Sequence, residues 1–235
     1  MKTDFIRGRT VPSIMMQASF LAAAACCGIK CGPAFADERA VTLFEEKFHS
    51  KLTAGWLWVR EEPAAWRIDD SGLVLRVQPG YLHAESNNAK NILLREIHSA
   101  HDATVVAEVD VESAPQIQYE HAGLIWYVDD DNYIALFVES MGGKAKLQMV
   151  VEKAGKGQFA VATGDTKAVR LRFKIAGDEI TGQVRETGGA EWRVVGKMKL
   201  PSTEKARIGI MSGGAPKNGE RTARFSGFRI FRLEK

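Results

Sequence analysis

The chain has 235 residues, of which 45% are hydrophobic and 26% charged, and this composition is typical of a folded protein rather than a disordered or fibrous one. Its 32 basic residues nearly balance its 29 acidic residues. A net charge this small excludes a polybasic protein that binds nucleic acid or an anionic membrane through charge alone.

The first 36 residues predict a secretory signal peptide. Two arginines, Arg7 and Arg9, precede an apolar stretch over residues 14–25. Ala34-Phe-Ala36 then places small residues at both positions that a signal peptidase recognises, which predicts cleavage before Asp37. The mature protein is therefore expected in the periplasm or outside the cell.

Two alternatives to a cleaved signal remain open. The apolar stretch is shorter than the roughly 20 residues that span a bilayer, so a transmembrane anchor fits less well and we predict no membrane span. The segment Ala23-Ala-Ala-Cys26 loosely resembles a lipoprotein signal, although the usual leucine three places before the cysteine is missing.

Cleavage before Asp37 would change both the cysteine content and the charge. All three cysteines, Cys26, Cys27 and Cys31, lie in the removed segment, so the mature chain would have no disulfide and no thiolate metal ligand. Removing four basic residues from 32 and one acidic residue from 29 leaves 28 of each sign. The mature protein is then formally neutral, and no nucleic-acid partner is expected.

Residues 37–235 predict a single all-β domain. Segments with alternating apolar and polar residues recur along it, separated by turns such as Gly142-Gly143 and Gly177-Asp178. No segment has the period of an amphipathic helix, which argues against a fold of alternating strands and helices. Roughly ten or more strands are therefore expected to form a two-sheet antiparallel jelly-roll sandwich. The clearest segments are residues 73–77, 103–112, 122–139, 147–152, 169–175, 180–185, 192–195, 206–211 and 222–233.

The alternation also predicts which faces are buried. Odd-numbered positions are apolar in residues 105–111 and again in residues 169–175, so each of these strands has one face directed to the core. In the last segment the apolar parity changes between Phe225 and Phe228. One extra residue near Ser226-Gly227, a β-bulge, explains the change.

Two apolar runs that flank four polar residues, 129–132, predict a long β-hairpin over residues 122–139. A four-residue loop at this position places Trp126 on the same face as Tyr133 and Glu139. The opposite face is aliphatic. Because both faces are apolar, the hairpin is expected well inside a sheet that packs on a second layer.

Several short motifs occur in a characteristic order. They are Trp56–Trp66, Gly72-Leu-Val-Leu75, Ala122-Gly-Leu124, Asp130-Asp-Asn-Tyr133, Val150-Val-Glu152, Val169-Arg-Leu-Arg172, Gly177-Asp178, Trp192 and Ala223-Arg-Phe-Ser-Gly-Phe-Arg-Ile230. In this order they resemble the concanavalin A-like lectin/glucanase domain of a family of unknown function, often labelled as resembling a regulator of enolase. A similar module is appended to family-43 β-xylosidases.

The resemblance covers nearly all of residues 42–233. It implies a lectin-like jelly roll with one concave face and association with a poly- or oligosaccharide. In related proteins such a module often lies beside a catalytic one, for which this chain has no room. A protein that acts alone or with a separate envelope partner is therefore implied, and the fold by itself does not decide the function.

The leading functional prediction is a non-catalytic, carbohydrate-binding protein. Sugars pack the apolar faces of their rings on aromatic side chains, and their hydroxyls hydrogen-bond to carboxylates or amides. Trp126, Tyr133 and Glu139 supply these groups on the hairpin, and Trp58 with Glu62 supplies them on an earlier strand. The alternative is that the rings pack in the core, as buried Trp and Tyr commonly do.

A second function is suggested by Glu108, Asp110 and Glu112, which alternate along one predicted strand and so point to one face. The pattern resembles the catalytic strand of laminarinase-type glycoside hydrolases. Retaining enzymes need two carboxyls about 5 to 5.5 Å apart, one as nucleophile and one as acid/base. The tryptophan- and glycine-rich lead-in usual in that family is absent here, and a solvated strand face is the alternative.

No metal and no cofactor are predicted. The hairpin tip at residues 129–132 offers too few oxygens for Ca²⁺, which takes six to eight, so a solvated turn is favoured. His98 and His101 have no third ligand near them in the sequence and are interpreted as surface residues. A protein-interaction module of the cell envelope is the third function considered.

Overall fold

The computed structural model of the protein describes residues 39–97, 103–162 and 167–234. These residues belong to one compact unit built from two large antiparallel sheets and a small two-stranded ribbon. The predicted signal peptide, His98 and His101 lie outside the described residues. Within the described ranges, no helix has the length and apolar character needed to cross a membrane.

The first sheet, sheet A, has eight strands. They are β1 (Arg39–Glu46), β3 (Trp66–Asp69), β4 (Gly72–Arg76), β8 (Thr104–Glu112), β13 (Ala168–Ala176), β14 (Glu179–Glu186), β15 (Arg193–Lys199) and β17 (Thr222–Glu234). Their order is β15-β14-β13-β8-β17-β4-β3, and β1 pairs with the second half of β17. A short 3-10 turn, Pro63–Ala65, leads into β3.

The second sheet, sheet B, has seven strands. They are β2 (Trp56–Val59), β7 (Ile92–Glu96), β9 (His121–Asp129), β10 (Asn132–Met141), β11 (Lys144–Lys153), β12 (Lys156–Ala162) and β16 (Arg207–Gly213), in the order β12-β11-β10-β9-β16-β7-β2. The ribbon consists of β5 (Leu82–His83) and β6 (Ser86–Asn87). The predicted two-sheet antiparallel sandwich is confirmed.

The core lies between the two sheets and is filled as the alternation predicts. In sheet A the odd-numbered residues of 105–111 and of 169–175 all point inward and are buried. Leu124, Trp126 and Ile134 are among the residues that sheet B contributes from the facing side. Removing these side chains from water supplies the main driving force for bringing the two sheets together.

The predicted bulge in the last strand is present. The pairing of β17 with β8 shifts register between Ser226 and Arg229, and Gly227 has a φ of 56°. Glycine adopts this left-handed conformation without steric penalty. As a result Phe225 and Phe228, three positions apart, both face the core.

The predicted register of the central hairpin is wrong by one residue. Only Asp130 and Asp131 form the turn. Val128 bulges out of the pairing between β9 and β10, which shifts the register by one residue. Tyr133 therefore lies opposite Tyr127. Since side chains alternate with a period of two, this shift transfers the whole of β9 to the opposite face relative to β10. Trp126 therefore lies opposite Ile134 in the core.

Candidate binding cleft

The outer face of sheet B carries a second apolar layer, separate from the sandwich core. It is formed by Ile92, Leu94, Ile125, Tyr127, Tyr133, Ala135, Phe137, Val150 and Met211. The segment of residues 78–91, here called the strap, crosses this face and packs Leu82 and Ala89 against it. Strands β9 and β10 are apolar on both faces because one face meets sheet A and the other meets the strap.

A cleft of about 540 Å³ lies between the strap and sheet B. Its volume is within the range of small-molecule binding sites, about 300–1,000 Å³. Most of its wall is apolar or aromatic. The lining residues are Tyr81, Leu82, His83, Ser86, Tyr119, His121, Tyr133, Phe137, Glu139, Met141, Gln148, Val150, Phe159 and Met211.

Glu152 holds the ribbon of the strap against the sheet. Its carboxylate is fully buried and accepts hydrogen bonds from the Ala84 backbone N–H at 3.0 Å and from Nδ1 of His83 at 3.1 Å. The Tyr133 hydroxyl donates to the backbone oxygen of Leu82. Burial raises the pKa of Tyr133, so the hydroxyl remains a donor at neutral pH. These contacts keep one side of the cleft in place.

The hairpin tip is tied to the other end of the strap. Arg60 makes two hydrogen bonds to Asp130, at 2.8 and 2.9 Å, and its Nε donates to the backbone oxygen of Ala89 at 2.6 Å. The Tyr127 hydroxyl also donates to Asp130, at 2.9 Å. Fork-shaped guanidinium–carboxylate pairs of this kind fix orientation as well as charge.

The remaining carboxylates of the tip are engaged by protein donors. Asp129 accepts hydrogen bonds from the backbone N–H of Asp131 and the side-chain amide of Asn132, and Asp131 accepts one from Asn87. Within the described ranges, no group of three or more acidic, histidine or cysteine side chains is arranged to hold a metal ion. The tip therefore acts as a structural anchor between hairpin and strap.

The lining of the cleft includes three buried polar side chains, and the part that they form is here called the inner end. His121, Glu139 and Gln148 are 5%, 6% and 7% exposed. His121 and Glu139 lie directly opposite each other on β9 and β10, while Gln148 comes from β11. Among the described residues, His121 Nε2, Glu139 Oε2 and Gln148 Oε1 have no hydrogen-bond partner. Buried polar atoms are normally paired, so three unpaired atoms in one cleft mark a place where a ligand can complete the pairing.

His121 is neutral and held in one tautomer. Burial lowers its pKa to about 4. Its Nδ1 lies 2.8 Å from the backbone oxygen of Tyr119, which only accepts hydrogen bonds, so Nδ1 carries the proton. Nε2 is therefore an acceptor. The ring stacks on Phe137 with the centroids 4.3 Å apart, which fixes its orientation.

Glu139 is an unusual carboxyl because, among the residues that the structure describes, no ion pair compensates its charge. Burial alone raises its pKa to about 7. The side chain is therefore poised between the protonated and ionised forms at neutral pH, and a ligand can shift this balance. Perturbed carboxyls in clefts are frequent at functional sites.

The structure places the predicted hairpin residues on different faces. Tyr133 and Glu139 line the cleft, as the predicted ligand-facing surface requires. Trp126 does not, because it is fully buried between the sheets and its Nε1 donates to the backbone oxygen of Ser202 at 3.3 Å. The prediction that Trp126 shares a face with Tyr133 is wrong, and its indole has no accessible surface for a sugar.

The second predicted pair, Trp58 and Glu62, lies away from the cleft. Trp58 packs against the core and against Trp66, with the ring centroids 5.1 Å apart. Glu62 pairs with Lys90 at 2.9 Å. Neither residue lines the cleft together with Tyr133.

The three carboxylates of the hydrolase alternative lie on sheet A. Glu108 is fully buried and pairs with Arg172 and Arg229, while Asp110 pairs with Arg170. Glu112 is mostly exposed. All three carboxylates belong to β8, the central strand of sheet A, whereas the cleft lies on the outer face of sheet B. Glu108 and Glu112 therefore do not form a free carboxyl pair facing the cleft.

Sequence reasoning missed most of the cleft. Tyr81, His121, Gln148 and Phe159 were not among the predicted site residues, yet all line it. His121 had a detectable signal, because it directly precedes the hairpin and the correct register pairs it with Glu139. The other three come from the strap, β11 and β12 and meet only in the folded chain.

The fold and the cleft define an antiparallel β-sandwich protein with an aromatic cleft on the outer face of one sheet. The chain belongs to the family described as protein of unknown function (DUF1349), which matches residues 58–232. No curated protein matches it.

Solved structures share this fold at low sequence identity. The GH43 protein BlXynB from Bacillus licheniformis has a TM-score of 0.69 at 18% identity, over 79% of this chain and 38% of its own. A xylan β-1,4-xylosidase from Bacillus halodurans C-125 has a TM-score of 0.66 at 21% identity, over 79% and 38%. A functionally unknown protein from Saccharomyces cerevisiae has a TM-score of 0.62 at 18% identity, over 75% and 96%.

The chain thus spans less than two fifths of the length of the first two structures. The predicted similarity to a β-sandwich of family-43 proteins is confirmed at the level of fold. The activities of those larger proteins belong to them.

Proposed function

We propose that the protein binds a poly- or oligosaccharide in the cleft without cleaving it. The observation that carries this proposal is the combination of aromatic walls with unpaired polar atoms at the inner end, contributed by His121, Glu139 and Gln148. A pyranose presents both an apolar C–H face and several hydroxyls, so it matches aromatic walls that lie beside unpaired polar atoms. Concave sites with few, well-placed polar groups are typical of ligand binding.

Exposed aromatic rings at the rim support the same ligand class. Phe159 on β12 is 54% exposed and Tyr119 is 52% exposed, although both line the cleft. Tyr119 also has a φ of 67°, a left-handed conformation that is uncommon for a residue with a side chain. Strained backbone of this kind is concentrated at functional sites. A ligand that covers these rings would remove apolar surface from water.

The names of the solved structures that share this fold also favour association with a sugar. One is named as a xylan β-1,4-xylosidase and another as a GH43 protein. On this basis we also propose membership of the concanavalin A-like lectin/glucanase superfamily and a lectin-like role. The label that likens the family to a regulator of enolase suggests no chemistry in the cleft and plays no part in the proposal.

A non-catalytic role is favoured by the carboxyl content of the cleft. Glu139 supplies the carboxyl of the lining. A second buried carboxylate, Glu120, directly precedes His121 but does not line the cleft. It accepts hydrogen bonds from Arg221 and from two backbone N–H groups. Glycosidases use two carboxyls about 5 to 9.5 Å apart, whereas the described lining contains one.

The proposed site of action is the periplasm or the exterior of the cell. It rests on the signal-like features of residues 1–36 and on cleavage before Asp37. Cell fractionation with N-terminal sequencing of the accumulated protein tests it. A mature N-terminus at Asp37 in the periplasmic or extracellular fraction is expected, and an intact N-terminus in the cytoplasm would contradict it.

A glycan array probed with the purified protein tests sugar binding. We expect selective signals that weaken in Phe159→Ala, which removes a cleft ring, and persist in Val194→Ala, which trims an exposed side chain on sheet A. Both variants change exposed residues, so both should fold. Absence of binding to every glycan, together with copurification of one envelope protein, would favour the interaction-module alternative.

A further inference from the structure

The unpaired buried polar atoms of the cleft are all hydrogen-bond acceptors when Glu139 is ionised. Among the described residues that line it, the buried atoms without a partner are His121 Nε2, Glu139 Oε2 and Gln148 Oε1. His121 Nε2 is an acceptor because Nδ1 donates to the backbone oxygen of Tyr119. A ligand group that fits this end of the cleft must therefore supply donors.

The charge around the acceptors favours a cation over an anion. The lining contains one carboxyl, from Glu139, and no lysine or arginine among its described residues. Lys146 lies opposite Glu139 on β11, but in the described part of the chain these two side chains form no ion pair. The other ionisable lining residues are Tyr81 on the strap, Tyr119 before β9, His121 on β9, Tyr133 on β10 and His83 on the ribbon.

The walls next to these acceptors are aromatic. The ring centroids of Tyr81 and His121 are 6.2 Å apart, and Phe137 stacks on the same imidazole with the centroids 4.3 Å apart. The faces of phenol and phenyl rings attract a cation held within about 6 Å. Rings and a buried carboxyl side by side therefore form a site suited to a small positive group.

We propose that the cleft selects a sugar carrying a protonated amino group, with the ammonium at the inner end beside Glu139 and His121. An ammonium has three donors and no acceptor, whereas a hydroxyl has one donor, so an ammonium matches a lining whose unpaired atoms accept hydrogen bonds. Its charge also compensates the Glu139 carboxylate, which forms no ion pair within the described part of the chain. This inference rests on the proposed function, because it assumes that the ligand is a glycan.

Three matched ligands test the inference. The β-1,4-linked tetrasaccharides of glucosamine, N-acetylglucosamine and glucose share one backbone and differ only at carbon 2, which carries an amine, an acetamide or a hydroxyl. Calorimetric titration of the purified protein at neutral pH should give at least about tenfold tighter binding for the glucosamine oligomer, because hydrogen bonds between charged partners are stronger than neutral ones.

Two variants locate the effect. Glu139→Gln keeps the shape of the side chain but removes its charge, so the affinity advantage of the glucosamine oligomer over the glucose oligomer should disappear. Glu45→Gln removes an exposed carboxyl on β1 of sheet A and should leave the preference intact. Thermal unfolding of both variants checks that each is folded.

The outcomes separate the two proposals. Equal or tighter binding of the neutral oligomers, or binding of neutral glycans alone on the array, overturns the amine inference and leaves the proposed function standing. Equally tight binding of tetralysine also overturns it, because the site would then select charge without a sugar. Absence of binding to any glycan overturns both.

Discussion

Tyr127 lies directly opposite Tyr133 across the hairpin of β9 and β10, and this pairing decides which side chains reach the cleft. The same register brings His121 opposite Glu139 at the other end of the strands. With the neighbouring register, in which Val128 would face Tyr133, the imidazole would point into the core and Trp126 would point out. The bulge at Val128 thus decides whether the polar His121 or the apolar Trp126 faces the cleft.

The stability of the protein should depend on the ionisation of Glu139. Burial raises its pKa from the ordinary value of 4.5 to about 7. Below pH 4.5 the carboxyl is protonated in both the folded and the unfolded chain. Between pH 4.5 and pH 7 only the unfolded chain ionises, so the folded state loses stability as pH rises, by roughly 3 kcal/mol in total at about 1.4 kcal/mol per pKa unit.

Urea denaturation of the wild type and of Glu139→Gln across this pH range measures the effect. The difference in unfolding free energy between the two proteins should move in favour of the variant as pH rises and level off above pH 7. Stability curves of the two proteins that run parallel over the whole range would contradict the prediction. Glu45→Gln, at an exposed position, serves as the control.

Removing the Tyr133 hydroxyl should loosen the strap. Tyr133→Phe keeps the ring but loses the hydrogen bond to the backbone oxygen of Leu82 and leaves the Glu152 carboxylate with fewer donors. We expect a loss of about 1 kcal/mol and faster amide hydrogen exchange in residues 82–89. Unchanged exchange in the strap, beside normal exchange in sheet A, would show that the hydroxyl does not anchor it.

Glu108 should be essential for stability rather than for chemistry. Its buried carboxylate lies between the guanidiniums of Arg172 and Arg229. Glu108→Gln leaves these charges without a counter-charge and should destabilise the fold by about 3 kcal/mol. Glu112→Gln, at an exposed position on the same strand, should change stability by less than about 0.5 kcal/mol. Chemical denaturation compares the two.

Neither Glu108→Gln nor Glu112→Gln should alter glycan binding when the assay is run under conditions in which the variant is folded. Glycan hydrolysis that is present in the wild type and abolished in Glu112→Gln would revive the hydrolase alternative.

Trp126 and Phe159 should affect different properties. Trp126 is fully buried, so Trp126→Ala should destabilise by about 3–5 kcal/mol through the cavity that it leaves. Phe159 is 54% exposed, so Phe159→Ala should leave the free energy of unfolding nearly unchanged and weaken ligand binding. Denaturation and calorimetry on the same samples distinguish the two. A folded Trp126→Ala with normal stability and lost binding would reverse these assignments.

Much of the fold follows from short-range sequence pattern. The alternation in residues 105–111 and 169–175 predicted buried faces that the structure confirms. The parity change between Phe225 and Phe228 predicted the bulge in β17, and Gly177-Asp178 predicted the turn between β13 and β14. These features are local because the period of a strand and the conformational freedom of glycine act within a few residues.

The cleft depended on relationships that no local pattern contains. The sequence determined that residues 122–139 form a hairpin with two apolar faces, and that Tyr133 and Glu139 share one of them. Only the tertiary structure decided that His121 joins that face and that the strap covers it, because the hairpin register depends on one bulge and on packing against both sheet A and residues 78–91. A one-residue change in register exchanges core and surface, so the packing of both layers, rather than the sequence of the strand, sets the site.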